Sequence, residues 1–438
     1  MEIQNNTKLF NQILANNFVA NLNNAFLIAA LSFWIYLETN SIVATSIMAG
    51  SFALLTISTG VFWGILVDKY PKKTMMIYSS IGTLVCYILA TLVYYLFLSS
   101  RAIDIQSAQV WLVIGLIIIG AIFGNIRNIV LPTTVSMLFV DKDRPKANGL
   151  VGIATGLAFI FSSIISGLII GFFGLVIVLW IGMIFTGLVI IHALTIQLSQ
   201  PKVELEEQHA HFSLVGVSKT IELIQQTPGL MAMIFFSTFN NFVGGVYGSL
   251  FDPYGLSLVS VQTWGTIWGC LGFAFVIGGM IITKYGLGKN PVKTFFLCNI
   301  ITWIAAGSVG LQQSIWLMIF CSIFYMTTAP IIEACEQTIL QKIIPLDRQG
   351  SVFGFANSIR SVATPVTAFF IGPFTQIVMV PFMTTGLGAQ YIGSWFGTGQ
   401  PRAIGLVFML AGVIGLIFTI FAIRSRSAKI LSKVFALN

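Results

Sequence analysis

The chain has 438 residues, 56% of them hydrophobic and 8% charged, with a formal net charge of +8 and a mean hydropathy of +0.92. A soluble domain carries roughly 25% charged residues, so this composition excludes a water-soluble globular protein. At about 20 residues per span, it leaves room for roughly twelve transmembrane helices. The positive charge does not describe a nucleic-acid surface: every Lys and Arg except Arg101, Arg402, Arg127 and Arg360 falls on one side of the expected topology. That asymmetry is the positive-inside rule, and it puts both termini in the cytoplasm. The five cysteines lie in apolar runs without a C-x-x-C spacing, as small core residues do. Met1 to Lys8 is polar and no short apolar region with a cleavage site follows, so no cleavable signal peptide is expected.

Span 1 runs from about Ile13 to Leu37. Its early part is rich in amides: Asn16, Asn17, Asn21, Asn23 and Asn24 lie within about 160° of arc on a helix. Such a stripe cannot face lipid at low cost, so it faces either a water-filled cavity or a neighbouring helix. Span 2 covers about Ile42 to Val67 and ends in Gly64-Ile-Leu-Val-Asp68-Lys69-Tyr-Pro71-Lys72-Lys73. Gly64 permits two backbones to approach, Asp68 can accept from a helix N-terminus, and the lysines hold the loop on the cytoplasmic side.

This loop resembles the signature between helices 2 and 3 of the major facilitator superfamily, Gly-x-Leu-x-Asp-Arg-x-Gly-Arg-Lys. Gly64, Leu66 and Asp68 match, and Lys69, Lys72 and Lys73 keep the charges, while Pro71 replaces the second Gly. The resemblance implies a gate motif at Gly64, Asp68, Lys69, Lys72 and Lys73. Roughly half the chain further on, Gly279-Met-Ile-Ile-Thr283-Lys284-Tyr285 echoes it, with Thr283 in place of the acid. A repeat at half the chain length is what two related six-helix bundles leave in sequence.

Span 3 covers about Thr74 to Phe97, and span 4 about Val110 to Val140 with Arg127 and Pro132 inside. The inner loop Asp141 to Gly149 mixes acids and bases before Ala147-Asn148-Gly149. With Pro132 upstream, this passage looks like the macrolide-efflux branch of the superfamily. Span 5, about Leu150 to Ile170, carries Ser162, Ser163 and Ser166 before Gly167, where drug antiporters of the family have Gly-x-x-x-Gly-Pro-x-x-Gly-Gly. Span 6 ends near Leu198, with His192 read as a packing or interfacial residue. Residues 200–228 form a polar cytoplasmic linker. In it, His209 and His211 stand beside three acids without further metal ligands, so no metal site is expected.

Span 7 covers about Gly229 to Leu250. Asn241, Gly245, Gly248 and Asp252 share one of its faces, with Asp252 at the outer end before Pro253. Spans 8 and 9 follow at about Trp264 to Ile282 and Val292 to Val309. Span 10, about Ser314 to Ile344, contains Glu333 and Glu336. Span 11 starts near Ser351 and contains Arg360. An outer loop from Thr384 to Arg402 precedes span 12 and a basic tail.

Charges inside spans are costly and point to function. At 1.5 Å per residue, Arg360 lies roughly 15 Å inward from Gly350, Glu333 roughly 16 Å above Ile344 and Arg127 about 20 Å above Val140, so all could meet in the inner half of the membrane. Glu333 and Glu336 share a helix face. Two readings stay open for Arg127, Glu333, Glu336 and Arg360: a fixed structural network, or a proton-coupling site in which an arginine alternately releases a glutamate.

The expected fold is all-α integral membrane: twelve transmembrane helices in two pseudo-symmetric six-helix bundles (the major facilitator fold), residues 1–199 and 229–438. The resemblance implies a central cavity, here bordered by Asn17, Asn21, Asn24, Asn241, Gly245 and Asp252. It further implies a monomer in a bacterial-type cytoplasmic membrane. The expected activity is export of a hydrophobic or amphipathic compound, drug-like and of macrolide type, by alternating access and proton antiport. The alternatives are an exporter or flipper of a lipid-like or siderophore-like metabolite, and a non-transporting membrane sensor. The expected partners are the small-molecule substrate and the lipid bilayer, not nucleic acid. No enzyme activity and no cofactor beyond the proton gradient are expected: the sequence holds no nucleotide-binding loop, catalytic triad or complete metal set.

Overall fold

The computed structural model describes residues 2–98, 104–139, 144–198, 221–222, 224–344 and 349–434; among these residues there is no strand. The first helices are α1 (Glu2–Thr39), α2 (Ile42–Lys69), α3 (Lys72–Phe97), α4 (Ala108–Leu138) and α5 (Arg144–Thr195), followed by a short helical stretch, α6, at 221–222 and 224–226. After them come α7 (Leu230–Leu258), α8 (Val261–Tyr285), α9 (Pro291–Ser308), α10 (Ile315–Ile343) and α11 (Gln349–Pro373). A π-helical turn, Phe374–Met379, carries α11 into α12 (Val380–Thr384). The chain ends with α13 (Leu387–Tyr391), α14 (Gly393–Phe396), α15 (Gln400–Arg424) and α16 (Arg426–Val434). Most of the expected 200–228 linker, including His209 and His211, lies outside the described residues.

Ten of these helices are long and apolar enough to cross a membrane. One of them, α5, has 52 residues, over twice the length a bilayer needs. It is broken at Gly174, whose φ of 73° and ψ of −177° suit only a residue without Cβ. Packing against α1 shows the chain reversing there. Ala147 and Ser166 neighbour Phe10 and Phe26 in turn, whereas Gly182 and Val189 take hydrogen bonds from Asn23 and Asn16 in the opposite order. Two spans therefore occupy α5. With the 18-residue α9, which Asn290 caps through Val292 and Lys293 N–H, the set reaches twelve.

Local chemistry sets the helix ends. Asn40, at φ 48°, turns the chain between α1 and α2, and the Ser41 hydroxyl accepts from Ala44 N–H at 3.2 Å to start α2. Two boundaries differ from expectation. α7 continues through Pro253 to Leu258, so Asp252 lies within the helix and not at its outer end; proline is tolerated inside membrane helices because neighbours re-satisfy the freed backbone. Arg402, expected in an outer loop, sits in the first turn of α15 after Pro401 and is 3% exposed. It donates to the Gly310 and Leu311 carbonyls at 3.2 and 3.1 Å and stacks 3.6 Å from the Phe396 ring.

The chain divides into two compact units. The first comprises the described residues of Met1–Ala44, Ser51–Gln208 and Ser260–Cys270. The second comprises those of Thr45–Gly50, His209–Val259 and Leu271–Asn438. The start of α2 thus falls in the second unit and the start of α8 in the first.

Small residues let these two segments pack closely. In the first unit a Cβ added to Gly167 would stand 2.5 Å from Val261 O, and one added to Gly265 would stand 2.5 Å from Ser163 O. The serine-and-glycine face of α5 thus takes the α8 segment in close backbone contact. In the second unit Gly50 packs on Ala368 and Phe369. Apolar clusters fill each unit. One holds Ile13, Met75, Met76 and Val130 in the first, and another holds Phe236, Phe295, Ile339 and Leu431 in the second.

Candidate functional site

In the first unit the amide stripe of α1 is spent largely on helix contacts. Asn16 Nδ2 donates to Val189 O at 2.9 Å and lies 3.0 Å from His192 Nδ1. Asn23 Nδ2 donates to Gly182 O and to the Thr186 hydroxyl, at 3.1 and 3.0 Å. Asn24 Nδ2 donates to Ala121 O and Asn125 Oδ1, both at 3.2 Å. Of the two destinations open to the stripe, neighbouring helices take Asn16, Asn23 and Asn24. Asn17 is buried, its Nδ2 without a hydrogen-bond partner, while Asn21 is half-buried. A 160° arc is wide enough to address α4 on one flank and α5 on the other, which is why one stripe does not make one cavity wall.

Arg127 is 1% exposed and central to this packing. Its Nη1 donates to Asn16 Oδ1 at 2.8 Å, and its Nη2 donates to Met76 O at 3.1 Å and the Ser80 hydroxyl at 2.7 Å. These acceptors are neutral groups of α1 and α3, within the first unit, while Glu333 and Glu336 belong to the second. A guanidinium offers five donors in a rigid fork, and neutral oxygens on two helices are sufficient to hold it.

The signature segment closes α2. Lys72 Nζ donates to Val67 O, and Lys73 Nζ donates to Leu194 O at 2.8 Å. Lys69 Nζ stands 5.8 Å from the Tyr70 ring centre, and in the other unit Lys284 Nζ stands 5.2 Å from that of Tyr285. In both units the lysine of the echoed segment lies over the ring of the tyrosine that follows it. Gly64 is corrected: a Cβ added there would meet nothing within 4 Å, and the same holds for Gly279. The close approaches fall elsewhere, at Gly82 against Phe123 and at Gly278 against Thr327 O. The Asp68 side chain lies outside the described residues.

In the second unit α7, α9, α10 and α11 line an open cavity of about 480 Å³. Glu333, Glu336 and Arg360 line it, together with Asn240, Asn241 and Gly245. Arg360 Nη1 lies 3.0 Å from Glu336 Oε2, their side chains 25% and 10% exposed. Glu333, one turn before, is exposed. Asn240 Oδ1 accepts from Trp303 Nε1 at 3.1 Å, Asn240 Nδ2 donates to Asn299 Oδ1, and Asn299 Nδ2 donates to Phe295 O.

Of the expected stripe on α7, Asn241 and Gly245 reach this cavity. Asn241 Nδ2 donates to Ser237 O of its own helix, and Gly245 is pressed against Thr364 O and Thr367 of α11. Asp252 does not line the cavity. Asn299, Thr302, Trp303 and Tyr325 line it and were not foreseen. Asn299 is a lone amide within an apolar run, the one signal that could have exposed it. Among the described residues no group of three His, Cys, Asp or Glu side chains could hold a metal ion.

Comparison with known proteins agrees with this architecture. Over 381 residues the chain is 21% identical to Macrolide efflux protein A of Streptococcus pyogenes, covering 84% of this chain and 89% of that protein. A bacterial homolog of the human lysosomal transporter Spinster superposes with a TM-score of 0.67 at 13% identity, covering 99% and 98% of the two chains. A structure of a proton-dependent oligopeptide transporter gives 0.70 at 12% identity, covering 98% and 100%. The D-xylose-proton symporter gives 0.65 at 14%, covering 92% and 96%. The family model of the Major Facilitator Superfamily matches residues 13–368. The chain belongs to the Major Facilitator Superfamily: it is a multi-pass membrane transporter and not an enzyme.

Proposed function

We propose that this transporter exports an amphipathic, drug-like molecule by proton antiport, with Glu336 and Arg360 as the coupling pair. The observation that carries this reading is the 3.0 Å ion pair on the wall of the 480 Å³ cavity, with the exposed Glu333 one turn away. Protonation of Glu336 cancels the charge that holds Arg360, and Glu333 on the same helix face offers the arginine a second carboxylate. Arg127, hydrogen-bonded to neutral groups, takes the structural role. The similarity to Macrolide efflux protein A supports the direction of transport and the class of compound.

The cavity is richer in polar groups than a hydrophobic substrate needs, which favours the amphipathic half of the expectation. The same lining keeps a second reading, export of a polar siderophore-like metabolite. In both readings the signature segment at Gly64, Asp68, Lys69, Lys72 and Lys73 is the gate, Asn21 and Asn241 are each open to water in their own unit, and the basic ends of the spans face the cytoplasm of a bacterial-type cell. The protein works as a monomer with no cofactor but the proton gradient.

The test is accumulation of a panel of labelled compounds in cells with and without the chain, then flux in reconstituted vesicles under an imposed pH gradient. Export abolished by an uncoupler supports antiport. Accumulation unchanged by the chain for every compound, macrolides and iron chelators included, overturns export.

A further inference from the structure

At the basic end of the second unit lies a second cavity, of about 240 Å³ and almost wholly apolar. Its walls are the first turns of α7 and α9, the last turns of α15, and α16. The rings of Phe236, Phe295 and Phe418 form its floor, with centroids 5.5 and 5.8 Å apart around Phe236. Phe235, 70% exposed, stands at its edge, so the cavity adjoins the exposed surface of α7. This cavity is separate in its lining from the one holding Glu336 and Arg360.

The amphipathic α16 forms the rim. The Ser425 hydroxyl accepts from Ala428 N–H at 3.1 Å to start the helix. Asn290 Nδ2 donates to Ser432 O and Oγ at 3.1 and 2.8 Å, and Leu431 packs into the space left by Gly229, which sits at φ 86°. The apolar side of α16, Ala428 and Leu431, is thereby buried, and its cations are not. Arg424, Arg426, Lys429 and Lys433 are exposed, as is Lys293 on the first turn of α9. Each of Arg424, Arg426, Lys429 and Lys293 is next in sequence to a residue lining the cavity. α9, α15 and α16 contain no acid; nearby Glu222 accepts from Gln226 Nε2 at 3.1 Å.

We propose that this cavity and the cations of α16 and α9 bind one anionic phospholipid, an acyl chain entering past Phe235 and the phosphate lying against Arg426, Lys429 and Lys293. Charge complementarity selects this occupant. A cluster of cations where a membrane span meets the headgroup level attracts anionic lipid, and long basic side chains can reach a phosphate while their stems stay on apolar surface. The same cations repel a positively charged amphiphile, so the cavity does not serve as its entry portal. Because α16 touches both α7 and α9, a bound lipid clamps these helices together.

The experiment uses the full chain, stripped of lipid in mild detergent. Phosphatidylglycerol and phosphatidylcholine with identical acyl chains are titrated and bound lipid is counted by native mass spectrometry. The expected result is one retained phosphatidylglycerol, preferred over phosphatidylcholine. The preference should fall roughly fivefold for each cation removed in Arg426→Gln, Lys429→Gln and Lys293→Gln. These three side chains are exposed, so the variants keep the fold. Ala422→Phe, which fills the cavity, should lose both lipids. Equal retention of the two lipids by the unaltered chain, or a triple variant with undiminished preference, overturns the proposal. Stronger retention of dodecyltrimethylammonium than of phosphatidylglycerol also overturns it and makes the cavity a substrate portal.

Discussion

Glu336 on α10 and Arg360 on α11 meet at 3.0 Å across the wall of the larger cavity, while Glu333, one turn earlier on the same face, is left exposed. An ion pair with its arginine side chain 25% exposed is held less firmly than a buried one, because solvent screens part of the attraction. The Glu336 side chain is only 10% exposed, so opening the pair leaves a nearly buried carboxylate uncompensated unless it takes up a proton.

Glu336→Gln should abolish accumulation driven by a pH gradient and leave exchange of substrate down its own gradient intact, since exchange moves no net proton. Glu333→Gln should reduce the driven rate less. Flux in reconstituted vesicles, driven and exchange modes side by side, checks this. Driven accumulation at the unaltered rate in the Glu333→Gln/Glu336→Gln double variant would make both glutamates structural.

Arg127 should act on stability. Arg127→Met leaves Asn16 Oδ1 without its donor and takes one bond each from Met76 O and the Ser80 hydroxyl, which stay bonded to each other at 3.2 Å. A buried group deprived of its partner costs about 1–3 kcal/mol. Arg127→Gln, which keeps one donor group and removes the buried charge, should lose less. Unfolding in detergent for Arg127→Met, Asn16→Ala and the pair should give a coupling of about 0.5–3 kcal/mol. Additive losses would place the two side chains in separate roles.

The glycines separate packing from motif. A Cβ on Gly310 would lie 1.9 Å from Gly405 O, a backbone atom that cannot swing aside. Gly310→Ala should therefore cost about 1–3 kcal/mol. Gly64→Ala meets open space and should change stability by no more than about 0.5 kcal/mol. If transport by Gly64→Ala falls while its unfolding transition holds, the motif glycine is needed in another conformation of the cycle.

Thiol labelling checks the amide stripe. In a background without the native cysteines, Asn21→Cys and Asn241→Cys should react with a water-soluble reagent. Asn16→Cys, 2% exposed in the native packing, should stay unreactive. Uniform labelling of all three would return the whole stripe to an aqueous cavity.

Asp68→Asn should preserve expression and cripple transport, as a carboxylate placed to meet a helix N-terminus would require. Expression level and vesicle flux of the variant, measured together, decide this. Full turnover in a well-folded protein removes Asp68 from the gate.

What the linear chain determined by itself was class, span count and internal duplication. The apolar share of the chain, the sparse charges and the Gly64–Tyr70 and Gly279–Tyr285 echo are properties of composition and order, and the bilayer imposes few alternatives to helices on them. The destinations of individual polar side chains were decided by the tertiary structure. An amide stripe reads the same in sequence whether it faces water, α4 or α5. Distances along single helices placed Arg127, Glu333, Glu336 and Arg360 at compatible depths, but depth carries no azimuth. Only packing shows that Arg127 is held by Asn16 and Ser80 while Arg360 pairs with Glu336. The small residues of α5 name no partner in sequence, and their backbone meets that of α8 because Gly167 and Gly265 face each other. Burial chooses among polar partners by geometry in three dimensions, and spacing along one helix holds only part of that information.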